Sequence, residues 1–188
     1  MKKSLWLVVG VLLAIAVAVW YMRRSSETTA FDLLQTFPSA TQAPNPAVFA
    51  IGDTEIGGVR KPSIQVKTPG TGTRITWQVA VPENGWVKVG LGTLEQSWTV
   101  EGDGVYFMIN ASEGTIFETL YTGVLDPFHN PGDRRWLDVT LDLSTHAGKT
   151  INLMLNTRPS APPNPGEALR EDQNGDMPVW GAPRIIVR

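Results

Sequence analysis

Two histidines, one spaced acidic run and a set of aromatic side chains are the residues of this chain whose types could do chemistry. His129 and His146 both fall in turn-like segments. A metal centre or a general base needs partners at fixed spacing, and no H-x-x-x-H, H-E-x-x-H or G-x-S-x-G pattern occurs. Each therefore reads as a surface histidine. Asp172-Gln173-Asn174-Gly175-Asp176 has D-x-N-x-D spacing, in which Asp172, Asn174 and Asp176 can turn oxygens toward one hard cation. The bidentate Glu that completes a calcium loop is missing, because Val179 to Arg188 contains no acid, and an acidic turn in a Pro/Gly-rich loop explains the same residues. Trp86, Tyr106 and Trp136 stand out of phase with the apolar face of their strands, with Trp98 near them in sequence. Outward rings beside Asp, Asn or Arg suit a sugar surface. The same rings serve equally as anchors of a protein interface, or lie under a loop.

Composition removes several chemistries. The 188 residues carry no cysteine, which excludes disulfides, thiol catalysis, iron–sulfur clusters and covalent haem attachment. Sixteen basic and 18 acidic residues leave a net charge of −2. Four of the basic residues (Lys2, Lys3, Arg23, Arg24) lie in the first 24 positions without an acid, so the remainder carries a net −6. Such a domain has no charge with which to hold a phosphate backbone, and nucleic acid is not an expected partner.

The elements that must position these side chains read as strands. From Val48 onward the apolar period is two: Ile75, Trp77, Val79 and Val81 share a face, as do Val87, Val89 and Leu91; Val105, Phe107 and Ile109; Leu137, Val139, Leu141 and Leu143; and Ile151, Leu153 and Leu155. Each set is a strand with one buried and one wet face. Pro69-Gly70, Glu83-Asn84-Gly85, Glu101 to Gly104, Asn130 to Asp133 and Ala147-Gly148 punctuate them. Strands are also expected at Pro62–Lys67, Gly114–Thr122 and Pro183–Arg188. Eight or nine antiparallel strands with one apolar face each need a second sheet, which predicts an all-β, jelly-roll-like antiparallel sandwich over residues 47–188. The Pro-rich stretch from Arg158 to Pro178 has no alternation and is expected to be a long loop.

Ahead of the sandwich, residues 1–24 read as a short inside tail and one transmembrane α-helix. Leu5 to Met22 holds 18 uncharged residues, roughly 27 Å of helix, with Trp6 and Trp20-Tyr21 at its ends and basic pairs on both sides. Ala14-Ile15-Ala16 resembles a signal-peptidase site, but the apolar run continues past it and stops at Arg-Arg, as a retained anchor does. Gly10, Ala14 and Ala18, spaced by four, would let a neighbouring membrane helix approach closely. Residues 25–46, rich in Ser, Thr, Gln and Pro, are expected to form a stalk or linker, with a helical turn at Asp32–Thr36. The charge bias places the C-terminal domain outside a bacterial cytoplasmic membrane.

His129-Asn130-Pro131-Gly132-Asp133-Arg134-Arg135-Trp136, then Val139 to Ser144, Ala147-Gly148-Lys149 and Trp180-Gly181-Ala182-Pro183-Arg184-Ile185 form a run of landmarks. They resemble the galactose-binding-like jelly-roll modules, of the carbohydrate-binding-module type, of bacterial surface proteins. The resemblance spans Val48 to Arg188 and implies the sandwich fold. Relatives of that fold bind sugars, bind proteins or support a neighbouring domain, so fold alone does not select a function. Many of its members carry a structural calcium ion; otherwise no cofactor is expected. Two readings follow. The first is a non-enzymatic accessory subunit of a larger membrane complex, such as an electron-transfer assembly, contacting the other subunits and the lipid bilayer. The alternative is a membrane-anchored carbohydrate-binding module with a glycan partner at the cell surface.

Overall fold

The computed structural model describes residues 27–67, 72–159 and 172–188. The expected span at Leu5–Met22, with Gly10, Ala14 and Ala18, lies outside them. Among the described residues no helix is long and apolar enough to cross a membrane.

Eleven strands and five single 3-10 turns make up these residues: β1 Thr28–Asp32, β2 Thr41–Ala43, β3 Phe49–Ile56, β4 Val59–Val66, β5 Thr73–Ala80, β6 Gly85–Thr93, β7 Val105–Glu113, β8 Ile116–Leu125, β9 Leu137–Asp142, β10 Thr150–Arg158 and β11 Pro178–Val187. They form two antiparallel sheets. One runs β3-β4-β11-β6-β9, with β1 added against β11; the other runs β2-β5-β10-β7-β8. The all-β sandwich expected from the alternation is therefore present. Ile75, Trp77 and Val79 face Val87, Val89 and Leu91 across the interior, together with Phe107, Ile109, Leu153 and Leu155, all within one buried cluster. Trp180 sits at its centre, fully buried, with its ring edge-on to Phe107 at 5.0 Å. Such a pair adds about 0.5–1.5 kcal/mol beyond its buried area.

Part of the expected stalk is built into this sandwich. β1 pairs with Arg184 to Val187 of β11, and β2 pairs with β5. Leu33 is fully buried and Phe37 lies edge-on to Phe49, both in the main core. Asp32 starts the turn between the two strands, its Oδ1 accepting from the Leu34 and Gln35 amides. These strands have five and three residues, too short to show alternation, so their apolar residues register only as an isolated cluster in a polar stretch. The last strand also begins earlier than Pro183. β11 starts at Pro178 because its first half is buried on both faces and shows no period of two.

A second, smaller core lies outside the larger sheet. The glycines of β6 and β11 leave a flat floor there, and the Trp136 ring covers it. A Cβ at Gly181 would fall 2.7 Å from that ring, and one at Gly90 3.1 Å from it. Ile56 and Val179 complete this cluster, with Leu94 and Trp98 at its margin.

Candidate functional site

The outer face of the β2-β5-β10-β7-β8 sheet carries the polar half of each alternating strand. Strand register brings one residue from each strand into a row: Ala43, Arg74, Asn156, Met108 and Thr122. The next row toward the end of the sheet holds Arg158 opposite Tyr106, with Val124 beyond. A cleft of about 260 Å³ opens here, lined by Ala43, Gly72, Thr73, Arg74, Met108, Asn156, Thr157 and Arg158. Among the described residues that line it, two carry guanidinium groups and none carries a carboxylate. Asn156 is buried in the floor, and its Oδ1 accepts from Arg74 Nε at 2.7 Å, which fixes the guanidinium over the sheet. Beneath, the Thr73 and Thr157 hydroxyls share a buried hydrogen bond of 2.6 Å. The arrangement offers fixed hydrogen-bond donors beside the thioether of Met108, with the half-buried Tyr106 ring one register step away.

The four aromatics expected to form one surface do not converge. Tyr106 belongs to the cleft face. Trp86 lies on the opposite sheet, half-buried, with the Arg188 guanidinium 5.2 Å from its ring. Trp98 is half-buried beside the smaller core, and its Nε1 donates to Thr93. Trp136, expected to point outward, is buried, with Nε1 donating to the Val59 carbonyl at 2.8 Å and Lys61 Nζ 5.2 Å from the ring. Its outward phase is real, but the glycine floor turns that outer face into a second interior. His146 corrects a further expectation: it is 5% exposed, carried by a 3-10 turn at Ser144–His146 that sets its Nε2 3.0 Å from Glu118 Oε2 of β8. His129 is the exposed histidine, its Nδ1 2.8 Å from Asp126 Oδ2.

The D-x-N-x-D run divides. Asp172 Oδ1 accepts from the Asn174 amide at 3.0 Å, a local turn contact, and Asn174 is exposed. Asp176 is 2% exposed, and neither of its carboxylate oxygens has a protein partner. Burial, and then the charges of Asp103 and Asp172, push its pKa up to about 8. Asp103 Oδ1 is likewise buried without a partner. Sequence reasoning did not connect Asp103 with this run, and the only signal was its place in the Gly102-Asp103-Gly104 turn. Among the described residues, no three His, Cys, Asp or Glu side chains come together as a metal centre.

No family model matches this chain. Its fold is similar to that of TmCBM61, a carbohydrate-binding module solved in complex with β-1,4-galactotriose, with a TM-score of 0.51, 10% identity and coverage of 84% of this chain and 94% of that one. A further structural neighbour, CBM51 from the Clostridium perfringens GH95 protein in complex with methyl-galactose, aligns at a TM-score of 0.44 and 12% identity over 87% of this chain and 93% of that one. The structural neighbours are thus β-sandwich carbohydrate-binding modules, and at these identities the likeness is one of fold. An uncharacterized protein of Archaeoglobus fulgidus is 31% identical over 109 residues, 57% of this chain and 25% of that relative. The chain therefore spans a quarter of the curated relative that it matches.

Proposed function

We propose that this chain is a membrane-anchored carbohydrate-binding module, with its glycan site on the outer face of the five-stranded sheet. The observation that carries this reading is the cleft in which Arg74, held by Asn156, stands with Met108 and Arg158 beside Tyr106. A sugar presents hydroxyls around its rim and an apolar face, and such a wall supplies both fixed donors and a surface for stacking. TmCBM61, to whose fold the domain is similar, was solved in complex with a galactose oligomer, which adds weight to a sugar ligand. Two cations and no acid among the described residues of the cleft wall favour sugars that carry a carboxylate. The uncharged Leu5–Met22 stretch supports a tether in the cytoplasmic membrane, with the domain outside.

The test is binding of the detergent-solubilised full chain to a panel of polysaccharides, including neutral galactan and polygalacturonate. Retention on at least one polymer, weakened tenfold or more in Arg74→Ala, supports the reading. Absence of retention on the whole panel sinks it. A second reading, the accessory subunit of a membrane complex, draws on the exposed edge strand β8, where Ile116 and Phe117 are 67% and 58% exposed. Co-purification with a fixed set of membrane proteins, lost in an Ile116→Lys/Phe117→Lys variant, would favour it instead.

A further inference from the structure

We propose that the tip of the β7–β8 hairpin docks on the bilayer surface, with Ile116 and Phe117 entering the headgroup layer. The proposal rests on the anchored reading given above and adds a second point of membrane contact to it. β7 ends at Glu113 and β8 begins at Ile116, so Gly114 and Thr115 make the turn. Gly114 has φ of +57°, and a Cβ there would meet no described atom within 4 Å. The tip therefore stands clear of the sandwich. Ile116 and Phe117 are both more than half exposed. Successive residues of a strand point to opposite faces, so apolar surface is wetted on both sides of this tip. Large apolar side chains gathered on one projection mark a contact with a partner or a membrane.

The place of the tip in the fold selects the membrane. Glu113 accepts from Lys149 Nζ at 2.8 Å, and the Lys149 carbonyl accepts from the Val81 amide. Val81 leads through a short turn into Gly85, which pairs with Val187, and Val187 pairs with Thr28. Hairpin tip, residue 27 and Arg188 thus belong to one end of the sandwich. The uncharged Leu5–Met22 stretch stops five residue steps before Glu27, at most about 18 Å of extended chain. Under the anchored reading, this end of the domain is held within reach of the headgroups. Both acids beside the tip already have partners: Glu113 has Lys149, and Glu118 Oε2 lies 3.0 Å from His146 Nε2. Their repulsion from anionic headgroups is correspondingly reduced. Trp86, next to Gly85 and half-buried under the Arg188 guanidinium, adds a ring of the kind that favours headgroup depth.

The experiment uses the full chain reconstituted into vesicles of phosphatidylethanolamine and phosphatidylglycerol. The chain has no cysteine, so Thr115→Cys and Thr99→Cys each give a single site for a fluorophore. Thr115 is exposed at the tip, and Thr99 is exposed in the loop beyond the far end of β6. Lipid spin-labelled near the headgroup should quench the Thr115 probe at least about twofold more than the Thr99 probe. Adding Ile116→Ser/Phe117→Ser should bring the Thr115 probe down to the Thr99 level. Flotation after an alkaline carbonate wash reads the anchor separately. If the chain does not float with the vesicles, the tether reading fails and the docking falls with it. Equal quenching at the two sites in chains that do float overturns the docking alone. Undiminished quenching in the double serine variant also overturns it. Shielding of the Thr115 probe from aqueous iodide without lipid quenching, rising with chain density, assigns the tip to a second copy and overturns it too.

Discussion

Trp136 covers a floor made from residues without side chains, and its position shows how a few glycines can redirect a large ring. Gly90, Gly92 and Gly181 lie on the outward face of β6 and β11, where the sequence alternation calls for solvent. Adding a methyl at Gly181 would drive it into the Trp136 ring at 2.7 Å, and at Gly92 into Ile56 Cδ1 at 2.6 Å. Either Gly181→Ala or Gly92→Ala is expected to destabilise the domain by about 1–3 kcal/mol, read as a lowered urea midpoint at unchanged slope. The outcome for Tyr106→Ala is the opposite: its half-exposed ring leaves the urea midpoint nearly unmoved, while glycan affinity falls by roughly tenfold, a loss of about 1.4 kcal/mol of binding. Equal affinity in that variant would remove Tyr106 from the site. Neither property could be read from the sequence, where both rings occupy the same outward phase. The difference is made by the residues of neighbouring strands, which are far away along the chain.

Among the elements, β1 and the turn after it have the largest consequence for how the domain begins. If Leu33 is core, Leu33→Ala costs about 2–5 kcal/mol, whereas in a solvated stalk it would cost nothing measurable by denaturation. The end of this element is clasped by charge. Glu27 accepts from Lys88 Nζ at 2.7 Å and from Arg188 Nη2 at 2.9 Å, and these contacts lower its pKa. A lowered native pKa means the clasp stabilises the fold above the ordinary carboxylate range and is lost as pH falls through the native value. A carboxyl NMR titration should place Glu27 below 4.5, and Lys88→Met should move it back upward. The long strands were legible because each buries one face and wets the other: Ile75, Trp77 and Val79 declare β5 without help. β1, β2 and the first half of β11 were not, because they are either too short or buried on both sides. Likewise the D-x-N-x-D spacing pointed to Asp176 but grouped it with its turn neighbours. Asp103, whose charge helps push the Asp176 pKa up, lies in another loop, and only the folded chain brings the two near each other.

For the molecule as a whole, the route of β5 sets the relation between its two ends. This strand begins at Thr73 beside the cleft, ends at Ala80, and passes through a tight turn into Gly85 of β6. Gly85 is paired with Val187, and Val187 with Thr28. Residue 27 and the C-terminal Arg188 therefore share the pole opposite the cleft, joined by their ion pair. With an anchor entering at residue 27, the full length of β5, about 26 Å at the usual rise per residue, stands between tether and cleft. Under the proposed reading of a membrane tether and a glycan site, that length would hold the ligand beyond the crowded headgroup layer. Long polymers could be gripped mid-chain from that height, whereas short stubs rooted in the same membrane would fall beneath its reach.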